Sequence, residues 1–253
     1  RRIQGAGLTR PELSILVSYS KSILKEELIE SDLGKDAYMA SAVKTAFPAR
    51  LVEEYGEEIK QHRLHKEIMA TQIANDIVNR MGLTFVARQQ KATGAKVVDV
   101  ARAYVTVMEV YSVAAVWDEI EALDHTVSSK VQSEMMIHLI RLVKRGVRWM
   151  LRNRRHNLLP TTIISEFSEG LGQLREGLAS MVGARATEQY TKLCKRYILA
   201  GVPRKLAETV STAEQAYTGL GVIQAASETE SPLLEVAELY FRMGEYLELD
   251  WFS

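Results

Sequence analysis

Apolar residues recur every three or four positions along nearly the whole chain, the period of an amphipathic helix. No run alternates apolar with polar for more than a few residues, and no Asn-Gly or Asp-Gly hairpin turn occurs. Thr9-Arg10-Pro11-Glu12 forms a capping-box signature, with proline in the first turn where a missing N–H does no harm. A helix is predicted from there to about Ile29, with Leu13, Leu16, Val17, Ser20, Leu24 and Leu28 on one side. Further helices are predicted over 36–47, 49–55, 57–81, 83–93 and 128–155, with 97–111 and 112–123 read as two helices or one bent one. The remainder gives 161–182, 185–200, 203–226 with some interruption, and 232–248, where Ser231-Pro232 supplies an N-cap and first helical residue. The fold class is all-α, a multi-helix, bundle-like domain of about ten to twelve helices by this periodicity. A weak internal seam is expected near 156–160, where His156-Asn157-Leu158-Leu159-Pro160 interrupts the pattern.

The predicted helix ending at Gly82 combines that pattern with an unusual set of amides and charges. Met69, Ala70, Ile73, Ala74, Ile77, Val78 and Met81 cover one broad side, and Leu64 and Ile68 sit nearly opposite, so burial on more than one side is expected. Buried polar groups need partners, because an unmet one costs about 1–3 kcal/mol. Gln72, Asn75, Asp76, Asn79 and Arg80 are therefore read as a structural polar network that fixes helix register. Asp76 and Arg80 are one turn apart, as are Asn75 and Asn79. Leucine at 75 or 79 is expected to impair folding or assembly.

Composition narrows the class without naming a reaction. The chain is 47% apolar and 25% charged, with 32 basic and 32 acidic side chains, which gives no prior for nucleic acid or membrane. A single cysteine, Cys194, forbids an internal disulfide, excludes a cysteine-based zinc site and fits a reducing cytoplasm. It reads as a small buried residue. No apolar run approaches the roughly 18–20 residues needed to span a bilayer. A start on Arg1 rather than methionine is read as a fragment of a longer protein.

The search for chemistry returns no catalytic, cofactor-binding or metal-ligating residue. Gly5-Ala6-Gly7, Gly170-Leu171-Gly172 and Gly219-Leu220-Gly221 supply only the first two glycines of a dinucleotide loop and follow no strand, so they read as packing or loop glycines. No histidine has a glutamate three residues before it, which removes a di-iron bundle site. Glu58/His62 and Glu134/His138 read as surface pairs. Residues 141–155 hold seven cations and no acid, and Arg141, Lys144, Arg145, Arg148, Arg152 and Arg155 line one helix face around Trp149. That candidate interaction face suits an anionic partner. Residues 228–250, with seven acids and one base, offer a complement within the chain or across subunits, and this is preferred to nucleic acid. Trp251-Phe252 reads as an anchoring contact or as an end folded back on its own helix.

Several segments carry a family resemblance: Gly7–Leu13 with Tyr19-Ser20-Lys21, Ile68–Gly82 with Thr84-Phe85, Trp117–Asp124, Arg148–Asn153 and Ala237–Phe241. Together they resemble the C-terminal region of the large bacterial NAD-dependent glutamate dehydrogenases, over essentially the whole chain. The run Thr71-Gln72-Ile73-Ala74-Asn75-Asp76-Ile77-Val78-Asn79-Arg80 is the most specific part. The resemblance implies that residues 1–253 are a helical C-terminal module of a longer enzyme that oxidises L-glutamate to 2-oxoglutarate and ammonium while reducing NAD. It implies no cofactor in this fragment and NAD in the parent, with catalytic residues outside the chain. The implied partners are the catalytic domain of the same polypeptide and further copies in a homo-oligomer, in the cytoplasm, with no membrane and no nucleic acid. The competing readings are an independent helical binding module that uses the basic face, and a free-standing helical enzyme.

Overall fold

The computed structural model describes residues 7–181 and 184–246, and every described element is helical. Helix α1 (Arg10–Glu30) opens on the expected cap, where the Thr9 N–H and hydroxyl both donate to the Glu12 carboxylate at 2.7 and 2.6 Å. Then come α2 (Ala37–Ser41) and α3 (Ala49–Lys60); α3 kinks at Tyr55, a predicted boundary, but runs on to Lys60, so the helix predicted over 57–81 is broken before His65. Helix α4 (His65–Met81) stops at Gly82, whose φ of 85° suits glycine. Helices α5 (Phe85–Thr93), α6 (Val97–Val110), α7 (Val113–Glu121) and α8 (Ser129–Asn153) follow. After them come α9 (Pro160–Met181) and α10 (Ala184–Leu199). The stretch predicted over 203–226 divides into α11 (Arg204–Ser211), α12 (Ala213–Ala216) and α13 (Gly219–Thr229), and α14 (Leu233–Tyr246) is the last described helix.

The chain forms two compact units: Arg1–Val105 with Met150–Thr161, and Thr106–Trp149 with Thr162–Ser253. Helix α6 passes from one to the other between Val105 and Thr106, and α8 between Trp149 and Met150.

In the first unit α4 is the central helix, lying against α1, α2 and α5. Met69, Ala70, Ile73, Ala74, Ile77, Val78 and Met81 are buried, as their spacing predicts. The opposite side is not: Leu64 is exposed and Ile68 half-buried, because the helix starts only at His65 and presents one face to its neighbours. Asp36 caps α2 through the N–H groups of Tyr38 and Met39 and also accepts from the Thr161 N–H and hydroxyl. One buried carboxylate thus ties the returning segment 150–161 into this unit.

The buried residues of the second unit include Met135, Leu139, Val143 and Val147 of α8, and Phe167, Tyr197, Val210 and Leu220. Two of the Gly-x-Gly motifs meet here. A Cβ on Gly170 of α9 would stand 3.0 Å from Ile223 of α13, and one on Gly219 of α13 would stand 2.8 Å from Leu171 of α9. They are two sides of one close helix contact, so packing accounts for both. Cys194 is buried, and burial raises its thiol pKa, which leaves it a small core residue of low reactivity.

Candidate functional site

The polar residues of α4 are divided by the helix they sit on. Asp76 takes Arg80 Nε on one carboxylate oxygen at 2.7 Å and the Tyr104 hydroxyl of α6 on the other at 2.6 Å. Tyr104 is buried, and its surroundings together with the Asp76 charge push the phenol pKa well above its usual value. It donates, and does not titrate near neutrality. Gln72 and Asn75 are half-buried and Asn79 is exposed. Among the described residues no hydrogen bond joins these three to each other or to Asp76. Tyr104 itself carries no sequence signal, since it lies 28 residues from Asp76 on another helix.

A second cluster forms in the other unit, around Glu214 of α12. Its Oε1 lies 2.8 Å from His138 Nδ1 and 2.8 Å from Arg141 Nη1, and its Oε2 lies 3.8 Å from Arg145 Nη1. The hydrogen bond from His138, joined by that from Arg141, holds the Glu214 pKa at about 2 in spite of burial. The carboxylate therefore accepts, and His138 Nδ1 carries the proton that points at it. The His138 ring packs edge-on against Tyr197, and Arg145 stacks over the Tyr217 ring at 5.5 Å. So weak a base takes no proton near neutral pH, and the cluster acts as a lock between α8 and α12.

Glu214 had a sequence signal: it is the one charge between Glu208 and Glu228, and a lone charge in an apolar helical stretch needs a partner. Its role corrects one expectation. His138 turns to Glu214 and not to Glu134, which instead pairs with Arg196 at 2.6 Å. Arg141 and Arg145 also meet Glu214, an acid of this chain that lies before the stretch 228–250 expected to complement them.

The rest of the predicted basic face stays on α8 as far as Arg152, and the division between the two units falls within it. Arg141, Lys144, Arg145 and Arg148 belong to the second unit, and Arg152 and Arg155 to the first. Arg155 lies beyond the end of α8 and donates to the Gly94 carbonyl at 3.2 Å. Trp149 packs edge-on against Phe167 at 5.9 Å, so its ring is no open platform. Trp251 and Phe252 lie outside the described residues.

Helix α1 differs from both clusters. Only Leu24 and Leu28 are buried on it, whereas Leu13, Ile15, Leu16, Tyr19 and Ile23 are 41–67% exposed. Periodicity put Leu13 and Leu16 on the core side, but the buried stretch of α1 is its C-terminal third, where it lies against α4. Beside Ile23 a cleft of about 180 Å³ runs between α1, the end of α4 and α5, lined by Ser20, Glu27, Val78, Leu83 and Val86. Among the described residues no group of three or more His, Cys, Asp and Glu is placed to hold a metal, and no helix is long and apolar enough to cross a membrane.

The family described as glutamate dehydrogenase, C-terminal, matches residues 5–253. The NAD-specific glutamate dehydrogenase of Halomonas elongata is 42% identical over 245 residues, which are 97% of this chain and 15% of that protein. Its counterpart in Pseudomonas aeruginosa is 41% identical over 248 residues, 98% of this chain and again 15% of the relative. The Mycobacterium tuberculosis protein of the same name is 30% identical over 246 residues, with 97% and 15% covered. The chain thus spans about 15% of the length of these curated relatives. With a match that runs from residue 5 to residue 253, the chain belongs to the glutamate dehydrogenase C-terminal family.

Proposed function

We propose that this chain is an accessory helical module of an NAD-specific glutamate dehydrogenase. In this reading the parent converts L-glutamate, NAD and water to 2-oxoglutarate, ammonium and NADH, and the residues that do so lie outside these 253. The module supports assembly or transmits regulation to the catalytic domain of the same polypeptide, in a cytoplasmic homo-oligomer. The observation that carries the reading is the pairing of near-complete coverage of the chain with 15% coverage of each relative. It is supported by the inward use of the polar clusters, since Glu214 with His138 and Asp76 with Tyr104 serve packing between helices. Residues 1–253 act as one module with a seam at 156–160; the passage of the chain between units at Thr161 and Thr162 supports that boundary. Gln72, Asn75, Asp76, Asn79 and Arg80 have a structural role in it, and the contacts of Asp76 favour that assignment.

The test uses the parent polypeptide with and without this segment. Removal is expected to lower glutamate-dependent NAD reduction, shift the oligomer to smaller mass or depress the melting temperature, while the chain alone gives no turnover. Turnover by the chain alone overturns the proposal. So does a shortened polypeptide with unchanged rate, mass and melting temperature.

A further inference from the structure

Among the described residues the exposed part of α1 is an apolar ridge without a partner. Ile15, Tyr19 and Ile23 follow one another at i, i+4 and i+8, and Leu16 stands about 20° beyond Ile23 around the helix, so the four share one stripe about 100° wide. Tyr19 is 67% exposed, Ile15 56% and Ile23 54%. Single exposed apolar residues are ordinary, but a continuous stripe that opens into a cleft marks a surface made to be covered.

The charges beside the stripe indicate what covers it. Glu26 and Glu27 are exposed at its C-terminal end, and Glu27 also lines the cleft. The last turn of α1 holds no basic residue, although a helix C-terminus favours positive charge. A cation brought there by a partner gains from both the carboxylates and the helix dipole. The length of the relatives indicates where the partner comes from. This chain makes up 15% of them, so most of the polypeptide able to cover the ridge lies outside it.

We propose that Ile15, Leu16, Tyr19 and Ile23, with the cleft between α1, α4 and α5, seat an amphipathic helix from the remainder of the parent polypeptide. That helix lays its apolar face on the stripe and sets a lysine or arginine against Glu26 and Glu27. The assignment rests on the accessory-module reading above and adds to it the surface and the chemistry of the contact.

Hydroxyl-radical footprinting of the unmodified full-length enzyme tests this, with each residue's oxidation rate compared with its rate in the urea-unfolded enzyme. A docked Tyr19 is expected to be protected about fivefold or more, as for a desolvated interface residue, with Ile15 and Ile23 following it. Protection of Tyr19 short of that overturns the proposal. Protection that disappears on dilution assigns the ridge to a second copy and also overturns it. The accessory reading is judged separately, by removal of the segment. If removal disables the enzyme while Tyr19 oxidises freely, the module docks elsewhere and only the surface assignment falls.

Discussion

Glu214 has a half-buried histidine and two arginines within reach, yet its own neighbours along the chain are uncharged. Its folded pKa, about 2, lies below the ordinary value of 4.5, so its contribution to stability is full above pH 4.5 and is lost as pH falls toward 2. Glu214→Gln is expected to flatten the stability profile between those values and to lower stability at neutral pH by about 2 kcal/mol. The penalty is less than for a fully buried pair, because Arg141 is mostly exposed and water screens it. Urea denaturation from pH 2 to 7 checks both; an unchanged acid limb means the lock is not what the geometry indicates. Tyr104→Phe removes a donor from Asp76 while Arg80 remains, and a loss of about 1–2 kcal/mol in the same assay is expected. Asn79 is exposed, so leucine there changes the stability of the chain itself by no more than about 0.5 kcal/mol. Any larger consequence of that substitution must arise through assembly.

At the scale of elements, the close approach of α6 and α8 depends on Gly146. A Cβ there would stand 2.9 and 3.2 Å from the two methyl groups of Val107, and a β-branched side chain cannot swing both away. Gly146→Ala gains about 1 kcal/mol of helix propensity but overpacks by about 1–3 kcal/mol, so a net loss is expected. In a Val107→Ala background the clash is gone and the same change is expected to stabilise by about 1 kcal/mol. A double-mutant cycle by urea titration reads that reversal of sign, and its absence removes the packing argument. Periodicity made most of these helices legible: the buried face of α4 was readable residue by residue, and the break at Tyr55 coincided with a predicted boundary. It could not show that Leu13 and Leu16 stay uncovered, because an apolar stripe has the same pattern whether its partner lies in this chain or beyond it. For a related reason the interruption expected within 203–226 was legible, but the positions that divide it into three helices were not. The turns at 212 and 217–218 carry Thr and Tyr, with neither proline nor a left-handed glycine to mark them. Asp76 with Arg80 was readable from spacing, whereas Tyr104 and Glu214 reach their partners over long sequence separations that no local rule spans.

Taken as a whole molecule, a neutral chain with a stretch of seven cations invites the idea of an anionic partner, and here the arrangement of those cations decides the matter. Nucleic-acid affinity comes chiefly from released counterions, so log K falls with log salt at about 0.9 per phosphate contacted. Six cooperating cations would give a slope steeper than about −5. Arg141 and Arg145 instead face Glu214, Arg155 reaches a backbone carbonyl, and Lys144 has interactions of its own. Arg154 is half-buried with interactions of its own, so Arg148 and Arg152 remain, exposed and without a hydrogen bond or ion pair among the described residues. Two contacts give a slope near −2, which is the regime of weak, sequence-independent association. Fluorescence anisotropy with duplex DNA between 50 and 200 mM salt is therefore expected to show only weak binding of that shallow slope. Submicromolar affinity with a slope near −5 would mean that the arginines leave Glu214 for phosphate. In that event Glu214→Gln should strengthen binding further, and the basic face would displace the packing role argued for it.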